Sequence, residues 1–490
     1  MENSNIIWDV RSSGFSCIPL EEIYRTGKIV KSSSVRKVLE IHWEGEDYIL
    51  KIFYAPHFLD RIRSWINPRP RREWKNLKAL YEFRMPVPEP VALGHKGEEG
   101  YLVTKKIPQT TPLKEICKHS LSLGERRNIS IGLARLTASL HNHGWIHNDF
   151  HSGNILSDQE GRLYLVDLYD ISHFNHLNKK QAIQNLAMLG VSFALCATYM
   201  DFLVFLKEYF SLCTLFGGES FTSFFQKSNE CFMDWFNFYC SKRAMRCIKE
   251  NKYFQKISNP LGKGFAHKES ILAIPPLPCS TPEGIALKNS RSTLVLKTPF
   301  GIWKEYRRKK SRNIFFDCFR KSRAQKAWIH GYNCILRGIP TAKPVFFQEK
   351  RLFFFLKSCY IVTEEIPCAS IIPESLALWS KEEGTKEHKI ILLKQLGKML
   401  RTLHDRGMTH RDLKGNNLLV DQKGKIFLID LDGLAIKRKV TQSRRFKDIK
   451  RLVKGLKLVE GVESKDMEIL LKSYLPFAKT EEIKRWLETI

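Results

Sequence analysis

The chain has 490 residues, 43% of them hydrophobic, and its 80 Lys and Arg against 51 Asp and Glu leave a net charge of +29. That length gives roughly two to four domains with well-buried cores, and the composition excludes collagen-like, mucin-like and disordered proteins. The basic excess favours polyanionic partners: nucleic acid, anionic lipid or a phosphorylated glycolipid.

The opening MENSNIIWDV carries no signal-peptide pattern, and none of the 12 cysteines stands in C-x-x-C or in a zinc spacing. A reducing cytoplasmic setting with free thiols packed in cores is therefore expected. Strand-like runs come next, with KSSSVRKV (Lys31–Val38) and then EDYILKIFY, which puts Lys51 on a strand. A basic, helix-like stretch, RREWKNLKAL, carries Glu73, and MPVPEPV and YLVTKKIP (Tyr101–Pro108) follow as extended segments. From His141 the chain reads HNHGWIHNDFHSGNILSDQEGRLYLVDL, a polar loop closed by an apolar strand. Leu186–Leu206, LAMLGVSFALCATYMDFLVFL, has the length of a membrane span. Asp201 interrupts it, and its later counterpart FKDIKRLVKGLKLVEGVESKDMEILL is too charged to span, so a buried helix is expected. Residues 258–283, rich in Pro, Gly and Ser, read as a linker.

Beyond that stretch the order repeats. KNSRSTLV (Lys288–Val295) and PFGIWKEYR, with Lys304, are the strand-like runs. AQKAWIHGYN is the helix, with Ala327 where Glu73 stands, and IPTAKPV and YIVTEEIP (Tyr360–Pro367) follow. HDRGMTHRDLKGNNLLVDQKGKIFLIDL from His404 aligns without a gap on the run from His141, with about a dozen of 28 positions identical.

Each copy holds an Asp, an Asn five residues on, and a second Asp thirteen further at the end of an apolar strand: Asp149, Asn154 and Asp167, then Asp412, Asn417 and Asp430. This is the spacing of kinase catalytic and metal-binding loops. Phosphoryl transfer depends on positioning and charge neutralisation. The first Asp is suited to orient an acceptor hydroxyl and take its proton. The second Asp and the Asn offer hard oxygens to Mg²⁺ on the phosphates of ATP. Lys51 and Lys304 fit the lysine that holds the α- and β-phosphates, and Glu73 fits the residue that orients it. Ala327 leaves the partner of Lys304 missing or supplied from elsewhere. Neither copy has G-x-G-x-x-G; the Ser-containing runs at Lys31 and Lys288 stand in its place.

The run His410-Arg411-Asp412-Leu413-Lys414 resembles protein kinases, with Lys414 placed to reach the γ-phosphate. His147-Asn148-Asp149-Phe150-His151 resembles small-molecule kinases such as aminoglycoside phosphotransferases and choline kinases, with His151 in the lysine's place. Taken together, LKNSRSTLV, SRAQKAW, GIPTAKP and the two catalytic loops resemble the lipopolysaccharide kinase family of core heptose and Kdo kinases. The resemblance implies an α+β fold of two tandem bilobal protein-kinase-like domains, each with a small β-rich N-lobe and a mainly helical C-lobe. The first is expected over residues 1–257 (N-lobe to about 105) and the second over 284–490 (N-lobe to about 365). It further implies ATP with Mg²⁺, an acidic glycolipid acceptor bearing the sugar hydroxyl, and action at the cytoplasmic face of a bacterial inner membrane. Any attachment to that anionic surface is expected to be peripheral. Two rival readings stay open: a Ser/Thr protein kinase, against which stand the short segment after Asp430 and the lack of A-P-E, and a scaffold in which one copy is a pseudokinase. Nucleic acid is not expected, because charge alone speaks for it.

Overall fold

A computed structural model describes residues 6–12, 15, 18–54, 68–307, 320–353, 355–381 and 386–489. The chain divides into two compact units, residues 1–236 and 237–490.

The first unit begins with an antiparallel sheet of β1 (Ile7–Arg11), β2 (Lys28–Ser32), β3 (Arg36–Trp43), β4 (Glu46–Phe53), β5 (Pro90–Lys96) and β6 (Glu99–Lys105), in the order β1-β5-β6-β4-β3-β2. Period-two alternation builds its core: Leu39 and Ile41 on β3 and Leu50 and Ile52 on β4 are buried, and Lys51 between the latter two turns to the opposite face. Helix α1 (Arg69–Glu82) buries Glu73, Asn76, Leu77 and Leu80, a helical stripe one side wide. Helices α2 (Leu123–Asn142), α3 (Lys179–Phe193), α4 (Tyr199–Leu212) and α5 (Phe221–Ala244) make the second lobe, and the last residues of α5, from 237 on, belong to the second unit.

The apolar run Leu186–Leu206 is two helices, where one was expected. α3 ends at Phe193 and α4 starts at Tyr199, with Thr198 and Asp201 forming a capping box. Asp201 also pairs with Arg126, so the acid that breaks the apolar run also fixes the start of α4. Among the described residues no helix is long and apolar enough to cross a membrane.

The second unit has a seven-stranded antiparallel sheet of β7 (Phe254–Asn259), β8 (Gly262–His267), β9 (Ile285–Ser290), β10 (Thr293–Thr298), β11 (Gly301–Tyr306), β12 (Pro344–Leu352) and β13 (Phe355–Thr363), in the order β7-β8-β12-β13-β11-β10-β9. The stretch 258–283, expected as a linker, is therefore partly sheet, and the strands β7 and β8 belong to the second unit. Its glycines and prolines hide the pattern. Gly264 lies so close to β12 that a Cβ there would sit 1.8 Å from the carbonyl oxygen of Phe347, which only glycine permits. Helix α6 (Arg323–Leu336) packs on this sheet, and α7 (Lys386–Asp405), α8 (Gln442–Leu456) and α9 (Ser464–Tyr474) form the second lobe.

Each unit is thus a bilobal, protein-kinase-like α+β fold. The repeat runs deeper than the aligned sequence window. His141 Nδ1 bonds the Tyr209 hydroxyl at 2.7 Å and His404 Nδ1 the Tyr474 hydroxyl at 2.7 Å, each fixing the helix before the loop to a later one. The described cysteines are free thiols, as expected, but Cys279 and Cys368 are exposed and not packed in a core; Cys17 and Cys318 lie outside the described residues.

Candidate active sites

In each unit the loop between two short strands presents the predicted carboxylates. Trp145–His147 pairs with Ile171–His173, and Met408–His410 with Leu434–Ile436. The histidine closing the first strand is an internal brace. His147 Nδ1 accepts from the backbone N–H of Asp149 at 3.2 Å, and His410 Nδ1 from that of Asp412 at 3.2 Å. Burial pushes both imidazoles below their ordinary pKa, so they stay neutral acceptors. His410 Nε2–H also donates to the carbonyl of Asp430 at 3.0 Å, tying the loop to the second carboxylate.

The carboxylates of Asp149 and Asp412 are left half exposed, at 57% and 51%. Asp149 Oδ2 lies 3.4 Å from His151 Nε2, and Asp412 Oδ1 lies 2.9 Å from Lys414 Nζ. The hydrogen bond from His151 holds Asp149 below the usual carboxylate range. Asn154 Nδ2 donates to the carbonyl of Asp149 at 2.9 Å and Asn417 Nδ2 to that of Asp412 at 2.8 Å, so each amide keeps its oxygen for another partner. Asp167 and Asp430 both sit in the left-handed region, φ 64° and 62°, at the start of a one-turn helix. Asp tolerates that conformation better than most residues. The following turn is anchored to the first lobe the same way twice: Asn76 Nδ2 donates to the carbonyl of Leu168 at 2.8 Å, and His330 Nδ1–H to that of Leu431 at 2.8 Å.

The lysines diverge. In the first unit Lys51 pairs with Glu73, which is 2% exposed. The other carboxylate oxygen of Glu73 has no partner among the described residues. In the second unit, buried Ala327 offers nothing, and Lys304 instead reaches Asp430 and lies 3.9 Å from Asp432. Arg323 Nε donates to Asp432 at 2.8 Å, and its guanidinium lies over Tyr306 at 4.5 Å. Burial and the neighbouring Asp430 push the Asp432 carboxyl up, while Asp430 is held down by Asp432 and Lys304 against its own burial. The partner missing from the helix is thus supplied by the metal-type turn itself.

Arg36, inside the Ser-containing run that stands for a glycine-rich loop, was not anticipated. Its guanidinium grips both oxygens of Asp167 as a fork, Nη2 donating to Oδ2 at 2.8 Å. Burial pushes the Asp167 carboxyl up, but the Arg36 hydrogen bonds and the Lys51 charge outweigh it, and the pKa falls to about 2. Thr293 occupies the matching position in the second copy. Among the described residues no group of three or more His, Cys, Asp or Glu is assembled for a metal. A hard cation here would take a carboxylate and an amide oxygen from the protein and the rest of its shell from a ligand, the pattern of Mg²⁺. Such a cation must displace Arg36 in the first unit, and a charge-assisted fork resists with roughly 2 kcal/mol. Arg36→Ala, in a chain whose second site is silenced by Asp430→Asn, is expected to raise Mn²⁺ affinity about thirtyfold, read from the electron paramagnetic resonance of free Mn²⁺. Unchanged affinity would mean that the fork does not guard the carboxylate.

A model of the Lipopolysaccharide kinase (Kdo/WaaP) family matches residues 24–209 and 303–474. The 3-deoxy-D-manno-octulosonic acid kinase of Xylella fastidiosa (strain 9a5c) is 29% identical over 151 residues, covering 29% of this chain and 54% of the relative. The lipopolysaccharide core heptose(I) kinase WaaP of Escherichia coli (strain K12) is 28% identical over 119 residues, covering 23% and 45%. The chain thus spans about half the length of the curated relatives it matches. A solved structure of WaaP in complex with acyl carrier protein is 20% identical, with a TM-score of 0.36, over 45% of this chain and 91% of that one.

Proposed function

Because the chain belongs to the lipopolysaccharide kinase (Kdo/WaaP) family, we propose that it transfers the γ-phosphate of ATP to a sugar hydroxyl of the lipopolysaccharide core, on a Kdo or a heptose. In this reading Asp149 and Asp412 orient the acceptor hydroxyl and accept its proton. Lys51, oriented by Glu73, and Lys304 hold the α- and β-phosphates. Asp167 with Asn154, and Asp430 with Asn417, are the oxygen donors for Mg²⁺, which when bound neutralises the phosphate charge. Lys414 and His151, each beside its catalytic carboxylate, are placed to meet the transferred phosphate, Lys414 as a full positive charge. Peripheral contact with an anionic membrane, at the cytoplasmic face of an inner membrane, follows from the acceptor and from the charge of +29.

The observation that carries this reading is the doubled constellation itself. In each unit a strand lysine, a loop Asp with its amide-bearing Asn, and a left-handed Asp recur, and in the second unit the lysine touches that last Asp directly. A peptide acceptor is disfavoured by the short path from Asp430 to α8, which begins at Gln442, and from Asp167 to α3, which begins at Lys179. Labelled ATP with Mg²⁺, offered both rough lipopolysaccharide and a generic protein, tests the proposal. Label is expected in the glycolipid. Label in protein alone would replace the reading with a protein kinase, and no label would leave a scaffold.

A further inference from the structure

The two repeats differ in charge along the face beside the acceptor-binding carboxylate. Asn185 Nδ2 on α3 donates to the carbonyl of His147 at 2.8 Å, and Asp448 on α8, its counterpart, accepts from the N–H of His410 at 3.1 Å. α3 and α8 are therefore the same helix in the two copies, packed under the same loop. Lys447, Arg451 and Lys454 on α8 are exposed and, at spacings of four and three, share one face. Arg451 is tied to the catalytic loop, where its guanidinium donates to the carbonyl of Arg411. Arg411 and Lys414 flank Asp412 and are exposed too. Lys414 has Asp412 as its partner, but among the described residues Arg411, Lys447, Arg451 and Lys454 have no carboxylate partner.

At the five matching positions the first copy holds Asn148, His151, Gln184, Met188 and Val191. Met188 replaces the arginine with a packing role: its sulfur accepts from the N–H of Phe150 at 3.3 Å, and it lies against the apolar core. Four cations without a carboxylate partner among the described residues repel one another, and an anion placed among them relieves that repulsion, whereas a neutral sugar does not. Building on the kinase reading above, we infer that the second copy takes an acceptor with an anionic group beside the reacting hydroxyl, held by Arg451 with Lys447 and Arg411. The first copy takes an acceptor without that charge. The two sites of one chain are then selective for different hydroxyls.

The test compares the methyl glycoside of 3-deoxy-D-manno-octulosonic acid with its methyl ester, which share their hydroxyls and differ by one charge. Ligand-observed NMR on the full chain should show the acid held about tenfold more tightly than the ester. Lys447→Gln with Arg451→Gln, both at exposed positions, should erase that preference and leave ester binding as it was; circular dichroism checks the fold. Equal binding of acid and ester by the unaltered chain, no binding of either, or a preference that survives the double variant overturns the inference. In an Asp149→Asn background the same double variant should raise KM for the acid about tenfold. Acid-selective binding without any transfer upholds the charge selectivity and removes the kinase reading alone.

Discussion

Asp412→Asn is expected to lower phosphate transfer by the second unit about 10²–10⁴-fold, the range for losing a positioned general base. Asparagine matches the shape of aspartate and can still hydrogen-bond a hydroxyl, but it cannot take the proton. The side chain is half exposed and its partner is Lys414 at 2.9 Å, so the fold loses at most about 1 kcal/mol. The brace beneath it survives as well, because His410 accepts from the backbone N–H of residue 412 and not from its carboxylate. Asp149→Asn should do the same in the first unit, where His151 is the neighbour. Mass spectrometry of the phosphorylated glycolipid, with each variant made singly, should show two different products lost. Unchanged product from either variant would refute a chain with two working sites.

Lys51→Met is expected to destabilise the first unit by about 3–5 kcal/mol and to abolish its nucleotide binding. Glu73 is 2% exposed, and its second oxygen is already without a partner among the described residues. Removing the lysine leaves a buried carboxylate uncompensated, and that cost exceeds the net worth of the pair. Glu73→Gln added to Lys51→Met removes the stranded charge, so most of the stability should return while nucleotide binding stays lost. Urea unfolding gives the first readout and a fluorescent ATP analogue the second. Lys304→Met should cost the second unit much less. There the carboxylate left behind, Asp430, is 30% exposed and open to water, and Asp432 keeps Arg323. Equal losses in the two units would show that the buried helix glutamate is not what sets the difference.

Both predictions rest on residues that were legible in the sequence, and the reason is local. Asp149, Asn154 and Asp167, like Asp412, Asn417 and Asp430, lie within one short loop and the strand after it, so their spacing survives as a pattern. Lys51 and Glu73 were readable because each sits at a fixed place on a regular element. Arg36 was not, since its partner is 131 residues away and nothing in KSSSVRKV says which way the side chain folds. Lys304 was readable from its place in the repeat, but its partners Asp430 and Asp432 were not, because they come from the other lobe of its unit. The break at 194–198 was visible in principle as Thr198 followed three residues later by Asp201, but the apolar residues around it masked the cap. The strands β7 and β8 were hidden for the opposite reason, because glycine required by close strand packing looks like glycine in a flexible connection.

That last feature bears on where the two halves can be separated. Phe254 and Ala266, on strands just ahead of the proline-rich stretch, lie in the cores of the second unit. The seam between the duplicated halves therefore falls upstream, near residue 237 and inside a continuous helix. A gene break placed at the obvious punctuation would amputate a hairpin and bare the edge of β12 to unwanted pairing.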